Sequence, residues 1–472
     1  MVAIVWIRRT LREFDNMALV EASKEHDEVI PFYVVDEEYF QKASTGYPKL
    51  KFWHDALSNL KQDLKDKGKD LVVRSGEPIE ELQKIIKETD ADSIYFNRDY
   101  SKYSRKRDEK VKALDVKVKD FKDIVMFEKD EILTNSGTPY KVYTYYSKKW
   151  FNKEKRRPQK PEEYAVPDGV ESDEIPSLEE LGFEEPEDFE WIWNASREGA
   201  KERLEEFKEN ILNYDEDREY AWKDSTSKLS PHLKFGTISI REVFWEAERM
   251  KARNPENKSG IKTWQEELAW RDFYFQMLYN FPESREKALQ EQFRSIEWRS
   301  KEEEASSDWK AFINGKTGYP FVDAGMRQLK QTGWMHNRLR MVVTCFACKD
   351  LWLDWKDLHD FFNENFVDAE IASMIGGIQW AYSIGTDAQP YFRVFNPWTQ
   401  GEKYDPEGDY IRKWVPELEN VPDEHIHRPY RMSRFAQENS DCIIGEDYPR
   451  PIVEHDKQRQ KAVKRFEEAR ED

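Results

Sequence analysis

The chain has 472 residues, 38% of them apolar and 36% charged, with 94 acids against 75 bases for a formal net charge of −19. That length exceeds one ordinary core and predicts two domains. The acid excess excludes indiscriminate binding to nucleic acid or anionic membranes but leaves room for a local basic groove. High-salt adaptation is a second source of such acidity, against which the abundance of Lys argues. No run approaches ~20 apolar residues, and "VAIVWI" before Arg8 and Arg9 is too short for a signal-peptide core, so a cytoplasmic protein with no membrane span is expected.

Short β-rich runs come first: "VAIVWI", "EVIPFYVVD", "KDLVVRSG", "ADSIYFNRD" and "VKVKDF". Between them, "DNMALVEASKEH", "YPKLKFWHDALSNLKQDLKDKG" and "PIEELQKIIKETD" carry apolar residues at helical spacing. Such alternation predicts an α/β domain with a doubly wound parallel sheet over residues 1–130, without the G-x-G-x-x-G of a dinucleotide fold. Residues 131–195 turn rich in Pro and acids and are expected to form an interdomain linker. From 196 to 472 strand signals stop, and "REGAKERLEEFKENIL", "GIKTWQEELAWRDFYFQMLYNF" and "VDAGMRQLKQ" predict an all-α domain ending in a solvated charged helix. Cys345, Cys348 and Cys442 form no even disulfide set and are expected as core residues; no metal site is expected.

Three constellations in the helical half depart from plain packing. In "WQEELAWRDFY", Glu267, Trp270 and Arg271 fall at i, i+3 and i+4, an acid, an aromatic plane and a guanidinium on one face, suited to a flat heterocycle. In "GWMHNRLRM", Arg338 and Arg340 point different ways, one toward phosphate and the other toward a buried acid. In "STSKLSPHLKFG", hydroxyls and backbone N–H groups entering a helix offer a phosphate cradle, although helix capping explains that stretch equally well.

Through these blocks, and through "KTGYPFVDAGMRQLKQTGWMHNRLRM" and "GTDAQPYFRVFNPWTQGEKYDPEGDYIRKWVPEL", nearly the whole chain resembles the photolyase and cryptochrome family. It is most similar to class I photolyases acting on cyclobutane pyrimidine dimers. The opening "VWIRRTLREFDNMAL" is similar to the family's first motif, with Thr10 where Asp is usual. The resemblance implies an all-α flavin-binding domain holding FAD, with its phosphates near Thr226, Ser227, Lys228, Leu229 and Ser230. Tyr214, Trp264, Arg271 and Asn337 would line it, Arg340 would pair with Asp368 beside the flavin ring, and Glu370 occupies a position that is usually Asp.

For the substrate, the resemblance implies a dimer flipped from damaged DNA and sandwiched by Trp270 and Trp380. Glu267 and Asn337 would hydrogen-bond its base edges, Met341 would pack on it, and Arg338 and Gln400 would contact the strand. Enzymes acting on the (6-4) photoproduct carry histidines at the positions of Asn337 and Met341, so cyclobutane dimers are favoured. A cryptochrome-like light sensor is the rival reading, disfavoured because the dimer-binding set is intact and the C-terminal extension short. A second, antenna chromophore of folate or deazaflavin type is left open, because "NRDYSKYSRKRDEKV" lacks the Asn-Glu pair of folate-binding members. A monomer is expected.

One stretch departs in chemistry. In "DAEIASMIGGIQW", Met374 and Ile375 replace two Asn residues of the family, and Ile378 replaces a Trp. The resemblance implies that Met374 removes a hydrogen-bonding partner of the flavin's central ring, altering its radical state. It also implies that Ile378 interrupts an electron relay whose other members match Trp355 and Trp298, unless Trp380, Tyr382 or another aromatic substitutes.

Overall fold

A computed structural model describes residues 2–42, 45–302 and 305–471. Five parallel strands, β1 (Val2–Ile7), β2 (Glu28–Val35), β3 (Val72–Ser75), β4 (Ser93–Asn97) and β5 (Lys117–Phe121), form one sheet in the order β3-β2-β1-β4-β5. All five lie within the predicted β-rich runs. Side chains of β1 alternate between faces: Ala3, Val5 and Ile7 pack in one apolar cluster, Ile4 and Trp6 in another. Burial of both faces accounts for the unbroken apolar character of that strand. Helices Met17–Glu25, Tyr47–Lys65, Pro78–Thr89 and Lys102–Lys112 connect or flank the strands.

Order reverses across β1, so the segments after β1 and β4 meet at the carboxyl edge of the sheet, where such folds bind and make contacts. Asn97 is central there: its amide reaches Thr10 Oγ1 at 3.2 Å and Asn16 Oδ1 at 2.7 Å, and its oxygen accepts from the Ala18 N–H at 2.9 Å. The Thr10 hydroxyl thereby serves as an acceptor in a compact polar turn.

A buried cluster of four charges joins the sheet unit to the helices. Arg12 pairs with Asp123 at 2.6 Å, and Arg241 pairs with Asp15 at 2.7 Å and with Asp123 at 2.5 Å. All four side chains are almost fully enclosed. Each charge is therefore dependent on its neighbours, since a lone buried charge costs several kcal/mol.

Residues 131–195 are mainly irregular. Ala165 exchanges backbone hydrogen bonds with Asp27 and Val29, and Asp173 N–H donates to Val73, so this segment follows the sheet edge before Trp193 enters the sheet core. Within the expected linker lies a helix, Tyr143–Asn152, whose Tyr143, Tyr146 and Trp150 pack into the helical core.

Beyond residue 196 the elements are α or 3-10 helices among the described residues. Those that matter for the site are Ser230–Phe235, Ser259–Asn280, Pro320–Thr332, Asn337–Lys349, Ile371–Ala381 and Pro397–Tyr404. Gly333, in a left-handed turn at φ 65°, ends Pro320–Thr332, and His336 caps the next helix by accepting the Arg338 N–H. That tight turn brings the "GWMHNRLRM" side chains to one end of Asn337–Lys349. The three cysteines are free and buried, and no described helix is long and apolar enough to cross a membrane.

Candidate active site

The site is built from an inner cradle and an outer mouth. In the cradle, Asp368 accepts both Arg340 Nη1 and Nη2, at 3.1 and 2.9 Å, and the Ser230 hydroxyl at 2.6 Å. Arg340 also donates from Nε to the Met335 carbonyl at 2.8 Å and lies over the Phe366 ring at 4.0 Å. Only 3% of the Asp368 side chain is exposed, against 29% for Arg340, so the acid is an internal anchor and the guanidinium remains reachable. The bidentate geometry fixes the orientation of that cation.

Next to it, the 225–230 turn carries Lys228 in a left-handed conformation at φ 50°. Ser227 Oγ accepts from Trp264 Nε1 at 3.3 Å, Leu229 is buried, and Lys228 pairs with Asp224 at 2.7 Å. Thr226 stays half-buried. Tyr214 joins the same wall through Phe207, which touches both Tyr214 and Trp264.

Two further residues expected at the cradle also contact neighbouring segments. Arg271 donates to the carbonyls of Ile124 at 2.5 Å and Leu233 at 3.2 Å, and stacks over Phe275. Burial lowers its pKa. Glu370 pairs with Arg9 from the sheet unit, which also reaches Asp99 at 3.3 Å. Lys234, its pKa lowered to about 8 by burial, donates to the Ala369 carbonyl at 2.6 Å. The longer Glu arm thus meets the sheet edge.

Helix Ile371–Ala381 packs on Ser259–Asn280 at a point where only glycine fits: a Cβ on Gly376 would lie 2.1 Å from the Tyr274 ring. At Gly377 a Cβ would meet nothing within 4 Å. Ile375 and Ile378 are buried, while Met374 and Trp380 are half-buried against the large helical core that also receives Met341. Trp355 belongs to that core. Trp298 has Trp352 at 4.5 Å and Tyr382 at 5.2 Å as ring neighbours, and the Tyr382 hydroxyl donates to the Leu353 carbonyl at 3.1 Å.

At the mouth, Trp270 is stacked on Tyr143 at 3.6 Å and has the tilted Tyr274 ring as a second neighbour at 5.4 Å. Glu267 accepts from Arg218 at 2.5 Å, Arg338 pairs with Glu219 and stacks on Tyr404 at 4.3 Å, and the Asn337 amide approaches Met341 Sδ at 3.9 Å. Gln400, on Pro397–Tyr404, has a buried amide oxygen without a partner among the described residues. Sequence reasoning passed over Tyr143, Arg218, Glu219 and Arg9. The spacing Tyr143, Tyr146, Trp150 is helical and marks the first; the others become visible only in three dimensions.

Models of known families match both halves of the chain: "DNA photolyase" over residues 3–165 and "FAD binding domain of DNA photolyase" over residues 264–468. A deoxyribodipyrimidine photo-lyase of Halobacterium salinarum is 40% identical, the alignment covering 99% of either chain. Among solved structures, a class III photolyase from Agrobacterium tumefaciens superimposes with a TM-score of 0.92 at 35% identity, covering 100% of this chain and 98% of that one. A Synechocystis cryptochrome gives 0.88 at 26% identity and 98% coverage of both. The chain belongs to the DNA photolyase family, an enzyme whose helical half is an FAD-binding domain.

The residues present fit that cofactor. The hydroxyls at 226 and 227 and the left-handed turn at Lys228 suit a diphosphate, and Arg340, oriented by Asp368, stays reachable beside them. Space beside Gly377 leaves the backbone of Ile371–Ala381 approachable by a flat ring.

Proposed function

We propose that the protein repairs cyclobutane pyrimidine dimers in DNA under near-ultraviolet or blue light. The observation that carries this reading is the mouth beside the FAD cradle: an aromatic plane, an acid, an amide, a thioether and two arginines, at Trp270, Glu267, Asn337, Met341, Arg218 and Arg338. Aromatic planes with polar edge groups and cations suit flat, hydrogen-bonding bases next to phosphate.

When bound in its reduced form, FAD supplies the light-driven electron that splits the fused bases. The chain's own residues would do the rest. Trp270, braced by Tyr143, stacks one base of a dimer turned out of the duplex, and Trp380 the other. Asn337 offers amide donor and acceptor atoms to the base edges, and Glu267 an acceptor once Arg218 is drawn to the strand. Met341 closes the apolar side, while Arg338 and Gln400 meet the backbone. Asp368 and Arg340 hold the cofactor end rigid, so little reorganisation accompanies reaction.

The test is illumination of a dimer-bearing oligonucleotide with prereduced protein. Recovery of intact thymines in the light and not in the dark is expected. Flavin photochemistry without thymine recovery would sink the repair reading in favour of a light sensor.

A further inference from the structure

Four charged side chains alternate in sign across the mouth of the site. Glu267 on Ser259–Asn280 is 2.5 Å from Arg218, Arg218 Nε is 3.8 Å from Glu219, and the other oxygen of Glu219 holds Arg338 on Asn337–Lys349. Adjacent residues 218 and 219 thus strap the two helices that carry the substrate-facing side chains. Nearby cations are matched as well: Lys223 pairs with Asp217 and Lys228 with Asp224. The sequence around the strap, "YDEDREY", places four acids within seven residues. DNA approaching this mouth therefore meets arginines whose charge is already answered from within the chain.

The details make Glu219 the exchangeable partner. Arg338 also lies over the Tyr404 ring and is 12% exposed in its side chain, whereas Glu219 is 31% exposed. A partly exposed ion pair is a weak restraint that a phosphate can replace. Phosphate brings further acceptor oxygens and releases condensed counterions, so exchange is favoured at low salt. Glu219 remains beside the strand afterwards as a like charge, and it also competes with Glu267 for Arg218.

We infer that Glu219 is a built-in phosphate surrogate that occupies Arg338 and Arg218 in the free enzyme and so sets the affinity and salt response of DNA binding. The inference rests on the reading that Arg338 and Arg218 face the DNA strand. Removing the surrogate's charge leaves the cations in place and should strengthen binding, an effect of opposite sign to the loss of a structural ion pair.

The experiment compares the FAD-loaded protein with its Glu219→Gln variant on dimer-bearing and intact oligonucleotides, by fluorescence anisotropy across a salt series. Glu219→Gln is expected to bind roughly three- to tenfold tighter at ~0.1 M salt, with a steeper fall in affinity as salt rises. Most of that gain should vanish when Arg338→Gln is added. Equal or weaker binding by Glu219→Gln, with the unsubstituted protein still preferring the dimer, overturns the surrogate alone. No preference for the dimer in the unsubstituted protein overturns the repair reading and the surrogate with it.

Discussion

Tyr143 lies face to face with Trp270, ring centroids 3.6 Å apart and planes 8° from parallel, while its hydroxyl donates to the Glu266 carbonyl at 2.8 Å. The phenol is thus tied to the helix that carries the indole it supports. Stacked aromatic pairs contribute ~0.5–1.5 kcal/mol beyond area burial. Tyr143→Ala should therefore weaken binding of a dimer-bearing oligonucleotide by roughly two- to tenfold through loss of Trp270 orientation. Tyr143→Phe, which keeps the ring, should fall much nearer the unsubstituted protein. Titration of both variants by anisotropy checks the pair, and equal affinities would remove Tyr143 from the site.

With Ile378 where the resemblance implies a relay Trp, we propose an aromatic path of different composition. Tyr382, four residues on at the end of the same helix, touches Trp298 at 5.2 Å, and Trp298 touches Trp352 at 4.5 Å. The Tyr382 hydroxyl faces a peptide carbonyl, a poor proton acceptor, and burial raises its pKa well above normal. Oxidation through this ring is therefore uphill. Photoreduction of the bound flavin should be slow in the unsubstituted protein and several-fold slower still in Tyr382→Phe and Trp298→Phe. Repair by chemically reduced protein should be unchanged in both. Flavin absorbance during blue illumination with an external thiol donor provides the measurement, and a loss of photoreduction confined to Trp355→Phe would return the relay to Trp355.

Most of the fold was legible because its signals are local. The five strands coincide with β-rich runs, and the alternation of β1 between two cores follows directly from side-chain period. Helix Tyr143–Asn152 was hidden by Pro- and acid-rich flanks that dominate composition, although its aromatic spacing is helical. At the site, the pairing of Arg340 with Asp368 was implied by motif and is present. The contact of Arg9 with Glu370 spans 361 residues, beyond the reach of any spacing argument. Arg271 shows the same limit: helical geometry puts it beside Glu267, while its donors go to two carbonyls from other segments, which spacing does not reveal.

Asp368 is the acid on which the cradle depends. It accepts from Arg340 twice and from Ser230 once, inside an almost closed environment. Removing the carboxylate leaves Arg340 without the bidentate partner that fixes its orientation. Asp368→Ala should therefore be purified with much less FAD than the unsubstituted protein, with Ser230→Ala losing far less. The ratio of flavin to protein absorbance after gel filtration reports this directly, and full FAD retention in Asp368→Ala would displace the carboxylate from its anchoring role.

Acid should destabilise the fold through two enclosed imidazoles. Burial lowers the pKa of His232 and of His336 from 6.5 to about 3, and each ring has an Nε2 without a partner among the described residues. A base that binds protons more weakly when folded contributes stability that is complete above pH 6.5 and is lost as pH falls toward 3. Buried Asp272 and Asp350 act oppositely: with pKa raised from 3.8 to about 6, each contributes stability that is complete below pH 3.8 and is lost as pH rises from there through about 6. A single substitution separates the two effects. His336 caps its helix by accepting the Arg338 N–H, a bond that Asn also makes, so His336→Asn retains the cap and removes the titration. The variant's melting temperature should therefore fall less steeply between pH 6.5 and pH 4 than that of the unsubstituted protein. Parallel curves over that range would show that protonation of His336 does not limit acid stability.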